Sequence, residues 1–123
     1  MSGKRQDLRK KTKDFAIQII RLYSSLPKTT EASVMGKQVL RSGTSVGAHY
    51  REATRARSTA EFISKIEGGL QELEETIYWL ELLTETNTVS TAKTQYLFQE
   101  SEELMRILVA SVKTAKNNKQ RHK

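Results

Sequence analysis

Between Lys37 and Arg57 the sequence reads KQVLRSGTSVGAHYREATRAR, and it suggests two kinds of chemistry. The first is cationic. At about 100° per residue, Lys37, Arg41, Thr44, Ala48, Arg51 and Arg55 of a helix fall within an arc of roughly 80°. Such a stripe suits nucleic-acid phosphates, which Lys and Arg neutralise with little regard for base sequence. Lys10, Lys11 and Lys13 add charge upstream, and the tail KNNKQRHK adds more at the other end. The second kind is nucleophilic, because Gly43-Thr44-Ser45-Val46-Gly47 matches the G-x-S-x-G pattern of a hydrolase elbow. That motif works only on a sharp strand-to-helix turn, which exposes the Ser and builds an oxyanion hole. Here the preceding MGKQVLRS is amphipathic-helical, His49 is too near in sequence to serve as base, and His122 sits in the tail.

Other signatures also fall short. Gly36-Lys37 lacks the upstream glycine and following Ser/Thr of a phosphate loop. Neither His has a Glu three residues before it, as a di-iron bundle requires. Glu52, Glu61, Glu67 and Glu74 read as caps, surface charges or ion-pair partners. Tyr50, Tyr78, Trp79 and Tyr96 read as packing residues rather than base-stacking platforms. These residues imply no enzyme, metal or cofactor.

The elements that must carry the basic stripe are helical. Leu8, Phe15, Ile19, Leu22 and Leu26 form the apolar stripe of a first helix over about Asp7 to Leu26, and Pro27 ends it. Thr29 or Thr30 caps a second helix, with Glu31 in its first turn. Ala32, Gly36, Val39, Gly43, Val46, Tyr50 and Ala53 step alternately by four and three, a seam opposite the cations. Gly36, Gly43 and Gly47 each cost a helix about 1 kcal/mol relative to Ala. Because the seam keeps phase across them, a continuous helix is expected rather than a loop at 42–47. Ser58-Thr59-Ala60-Glu61 is a capping box opening a third helix with Ile63, Ile66, Leu70, Leu73, Ile77 and Leu80 on its stripe. Gly68-Gly69 in its middle implies a close helix contact or a local weakness. After a break at Asn87 to Ser90, with Thr88 or Ser90 as cap, Leu97, Leu104, Leu108 and Ser111 mark the fourth helix, supported by Tyr96, Ile107 and Val112. Four helices joined by short links predict an all-α, antiparallel up-down four-helix bundle over residues 1–116, with a disordered basic tail at 117–123.

The 123 residues are enough for one domain with a real core. With no Cys, disulfides, thiolate zinc sites and thiol catalysis are excluded. The charged start MSGKRQDLRKK is unlike a signal peptide and no apolar run reaches the ~20 residues of a membrane span, so a cytoplasmic protein is expected. The net charge of +7 is unevenly spread. Met1–Arg57 holds 13 Lys/Arg against 4 Asp/Glu, Ser58–Glu100 holds 2 against 8, and Ser101–Lys123 holds 6 against 2. The third helix is thus acidic, with Glu67, Glu74 and Glu81 seven residues apart. Basic and acidic faces could neutralise each other within one bundle or meet between subunits, and the surplus favours a polyanionic partner.

An ordered series of residues resembles the intervening-sequence proteins, a four-helix-bundle family encoded in insertions within bacterial large-subunit ribosomal RNA genes. The series runs from Leu26-Pro27 through Gly36-Lys37-Gln38, Leu40 to Ala48, Tyr50-Arg51-Glu52-Ala53 and Ala56-Arg57-Ser58. It continues through Ala60-Glu61-Phe62 and Lys65 to Glu75-Thr76-Ile77-Tyr78-Trp79-Leu80. The resemblance, spanning roughly Asp7 to Leu83, implies a homopentameric ring of bundles with no established enzymatic activity. The same family includes the accessory variability determinant of diversity-generating retroelements, which works with a reverse transcriptase and its template RNA. The chain departs from the pattern at His49, where relatives often carry Asn, and at Gly68-Gly69. The expected function is a non-catalytic accessory protein that holds RNA or DNA near a partner such as a reverse transcriptase, through Lys37, Arg41, Arg51, Arg55, Lys10, Lys11 and Lys13. The alternative is a protein-interaction module that does not touch nucleic acid.

Overall fold

The computed structural model describes residues 2–121, and the side chains of residues 7–119. Four helices follow one another: α1 (Ser2–Ser24), α2 (Thr30–Ala53), α3 (Thr59–Glu85) and α4 (Thr91–Arg121). The described residues contain no strand. Each helix touches its neighbours in the cyclic order α1, α2, α3, α4, and the diagonal pairs do not meet. Contacts between α2 and α3 are the most extensive, those between α1 and α4 the least. Residue numbers rise along α2 as they fall along α3: Arg41 meets Glu75, His49 meets Gly68, and Glu52 meets Lys65. The helices are therefore antiparallel neighbours, as their short links require.

Local chemistry sets the ends. Thr29 has extended backbone, and its hydroxyl accepts from the Ala32 amide at 3.2 Å. Ser58 does the same for Glu61 at 3.0 Å. The Glu61 carboxylate accepts from the Arg57 amide at 3.1 Å, one residue before the cap rather than at it. Both acceptors expected of the box are used, with the second reaching further back. α3 ends in a Schellman turn: Asn87 takes a left-handed φ of 59°, Thr88 N donates to Leu83 O, and Asn87 N donates to Thr84 O. α1 stops at Ser24, two residues short of the expected end, where the Ser25 amide turns back to Leu22 O.

The α2 seam is buried throughout its seven positions, and α2 is one continuous helix across Gly43 and Gly47. Its glycines are where α1 lies. A β-carbon at Gly36, Gly43 or Gly47 would meet Leu26, Ile19 or Thr12 respectively, at 2.6, 2.8 and 3.1 Å. The conformational cost of glycine is offset here by close approach. In α3 the core face is rotated from the expected stripe. Ile66, Leu73 and Leu80 are buried, but Gly69, Thr76 and Leu83 complete the face while Ile63, Leu70 and Ile77 sit half-buried. Small residues let α3 approach α2, so hydrophobicity alone mislocated the centre of its buried face. Thr76 Oγ1 lies 2.8 Å from the Glu72 carbonyl and 2.8 Å from Ser42 Oγ; with one proton per hydroxyl, Thr76 can donate to the carbonyl while accepting from Ser42, so both hydroxyls are satisfied in the core.

The boundary expected at residue 116 is not a break in the backbone. α4 continues to Arg121, with Lys116 to Lys119 helical and exposed. Lys, Gln and Arg are good helix formers, and cations in a last turn complement the helix dipole. His122 and Lys123 of the expected tail lie outside the described residues. No helix among the described residues is long and apolar enough to cross a membrane.

Candidate nucleic-acid interface

The basic residues separate into two sets once the helices are placed. Three of the seven expected phosphate contacts are engaged by carboxylates of the same chain. Lys10 Nζ lies 2.7 Å from Asp14 Oδ2, one turn on. Lys11 Nζ reaches Glu103 Oε1 of α4 at 2.7 Å. Each lysine is held above its ordinary pKa first by that hydrogen bond, and Glu103 below its own by the bond from Lys11. Arg41 bridges two acids of α3: Nη1 donates to both Glu72 oxygens, at 3.0 and 3.2 Å, and Nη2 to Glu75 Oε1 at 2.8 Å. Glu72 retains only 14 % of its side-chain exposure, so this guanidinium is its main compensation.

The other four, Lys13, Lys37, Arg51 and Arg55, have no ion-pair partner among the described residues, and neither does Arg9. Helix geometry collects most of them on one side. Thr12 packs on Gly47 of α2, and Lys11, one residue before it, points to α4. Lys13 therefore projects outward on the α2 side, and Arg9, one turn before Thr12, joins it. On α2, Gly36 and Gly47 face α1. Lys37 follows the first outward and Arg51 lies one turn after the second. Arg55 stands past the end of α2 in the following turn, so helical spacing no longer fixes its direction.

The carboxylates of α1 and α2 lie on the other sides. Asp14 pairs with Lys10, and Asp7 precedes Lys11 by one turn, on the α4 side. Glu52 pairs with Lys65 of α3 at 3.2 Å. Glu31 stands three turns before Ser42, whose hydroxyl meets Thr76 of α3. Among charged side chains the α1–α2 seam thus carries cations alone, with the exposed Ile20 on the same face of α1. Arg9 belongs to this set by position; sequence spacing could not find it, because which side of α1 faces α2 depends on the glycine contacts.

His49 is placed differently. Its imidazole lies over Gly68, where a β-carbon would stand 3.1 Å from Cε1 and Nδ1, and its own β-carbon lies 3.4 Å from one at Gly69. The two departures from the family pattern are one contact. Nδ1 is buried without a hydrogen-bond partner, 3.9 Å from Glu52 Oε1. Ser45 lies inside α2 and donates back to the Arg41 carbonyl at 2.7 Å, so the G-x-S-x-G run is not on a strand-to-helix turn. Tyr50 is buried, Trp79 half-buried, and Tyr78 and Tyr96 about half exposed, at 52 % and 51 %.

The sequence model of the 23S rRNA-intervening sequence protein family matches residues 4–110. The fold is similar to the crystal structure of a protein of unknown function from the S23 ribosomal protein family of Bacteroides thetaiotaomicron VPI-5482. The two are 40% identical with a TM-score of 0.84, over 89% of this chain and 98% of the other. No curated protein matches the chain.

Proposed function

The chain belongs to the 23S rRNA-intervening sequence protein family, and from that premise we propose that it is a non-catalytic, homo-oligomeric accessory protein that binds RNA or DNA. It scaffolds the nucleic acid for a partner enzyme, of which the reverse transcriptase of a diversity-generating retroelement is the example the family offers. The observation that carries this reading is the α1–α2 surface, where cations without internal partners project and the carboxylates of both helices lie elsewhere. Assembly into a ring, a homopentamer by family resemblance, would repeat that surface around an axis.

The reading is tested by binding purified protein of measured oligomeric mass to a structured RNA and a duplex DNA across a salt series. The affinity is expected to fall linearly on a log–log plot, with a slope of about −0.9 per phosphate neutralised on a B-form duplex. Absence of binding at low salt would overturn it. The alternative, a protein-interaction module that leaves nucleic acid alone, draws on the internal pairing of Lys10, Lys11 and Arg41, and would then be pursued with a reverse transcriptase as the first partner tested.

A further inference from the structure

We propose that a phosphodiester backbone lies along the α1–α2 seam, held by Arg9 and Lys13 from one helix and Lys37 and Arg51 from the other, while Glu72 and Glu75 keep Arg41 out of the site. This rests on the nucleic-acid reading and adds its surface and contacts. Three observations carry it. The glycines of α2 let α1 settle at short range, with Ile19 and Thr12 against Gly43 and Gly47. Arg9 and Lys13 therefore stand across the seam from Arg51, beside the Thr12–Gly47 contact, with helix axes no more than about 8–10 Å apart, and Lys37 lies farther along the same seam, past Tyr23. Lys37 to Arg51 spans about 21 Å at 1.5 Å per residue, the length of several consecutive phosphates of one strand. Arg51 is half-buried, and its guanidinium has a planar fork suited to phosphate oxygens, unlike the point charge of a lysine.

Arg41 belongs to the neighbouring α2–α3 surface. Both of its terminal nitrogens are occupied, and a phosphate arriving there would meet two carboxylates and one cation. Its role is to hold α2 and α3 in register beside the buried Ser42–Thr76 bond.

The test compares two α1 variants that remove the same charge from adjacent positions, Arg9→Gln/Lys13→Gln and Lys10→Gln/Lys11→Gln. The probe is a 20-base-pair RNA duplex, titrated across a salt series with melting curves as the check on folding. The first double variant is expected to weaken binding about tenfold or more at about 100 mM salt and to flatten the salt slope by about two contacts. The second is expected to stay within about twofold and keep its slope. Equal losses from both would overturn the seam and leave nucleic-acid binding standing. No binding by the unmodified protein would overturn both readings together. A third variant, Glu72→Gln/Glu75→Gln, frees Arg41 and is expected to steepen the slope by about one contact. An unchanged slope would overturn the exclusion of Arg41.

Discussion

A methyl group at Gly43 would stand 2.8 and 2.9 Å from two carbons of Ile19, which is fully buried and has nowhere to move. At Gly36 the nearest atom is the far end of Leu26, a half-buried side chain beside the α1–α2 turn. Overpacking a tight core site costs about 1–3 kcal/mol, against the gain of about 1 kcal/mol from replacing a helical glycine with alanine. Gly43→Ala is therefore expected to destabilise the protein by about 1–2 kcal/mol in urea unfolding, and Gly36→Ala by clearly less. Equal losses would mean that Ile19 relaxes as readily as Leu26. The same reasoning couples His49 to Gly68. In the native protein the imidazole opposes an added methyl at Gly68; with the shorter Asn at 49 that opposition is removed. Gly68→Ala is expected to be more favourable in the His49→Asn background, with a coupling of at least about 0.5 kcal/mol in a double-mutant cycle. Additive effects would show that the contact carries no energy.

At the scale of the helix, α1 is held unequally: glycine contacts fasten it to α2, while its contact with α4 is the least extensive of the four. Lys11–Glu103 spans that weaker side. Because Lys11 lowers the Glu103 pKa, the folded state binds that proton less readily than the unfolded chain. The contribution is present above the ordinary carboxylate range and is lost as pH falls through the lowered value. Lys11 is raised, so its contribution is present below the ordinary lysine range and lost as pH rises through the raised value. Glu103→Gln is expected to lower the melting temperature on the plateau between these limits, and the gap should close in acid below the folded-state value of Glu103. A gap of constant size would show that the pair is not its source. The helices themselves were legible in sequence, since Thr29, Ser58 and Asn87 act through local geometry that residue type dictates. The core face of α3 was less so: Gly69 and Thr76 are buried because α2 comes close, and no hydrophobic pattern records an approach.

Across the whole molecule, the same limit governs the candidate site. Lys10–Asp14 is an i,i+4 pair and could be read from spacing. Lys11–Glu103 and Arg41 with Glu72 and Glu75 join residues 92, 31 and 34 positions apart, so only the packed bundle reveals which cations are engaged. The stripe on α2 was visible as a stripe; its division by Arg41 and its extension by Arg9 depend on which helix lies on each side.

The cyclic order of helices places α1 diagonally across from α3, whose outward residues Glu67, Glu74, Glu81 and Glu85 are exposed. Opposite corners of the bundle carry opposite charge, which gives a single bundle a transverse electric dipole. In the field of a polyanion such a body experiences a torque before any contact forms, and rotates its cationic seam forward while the acidic edge trails. Encounters would begin oriented, and the benefit would fade as added salt shortens the reach of the field.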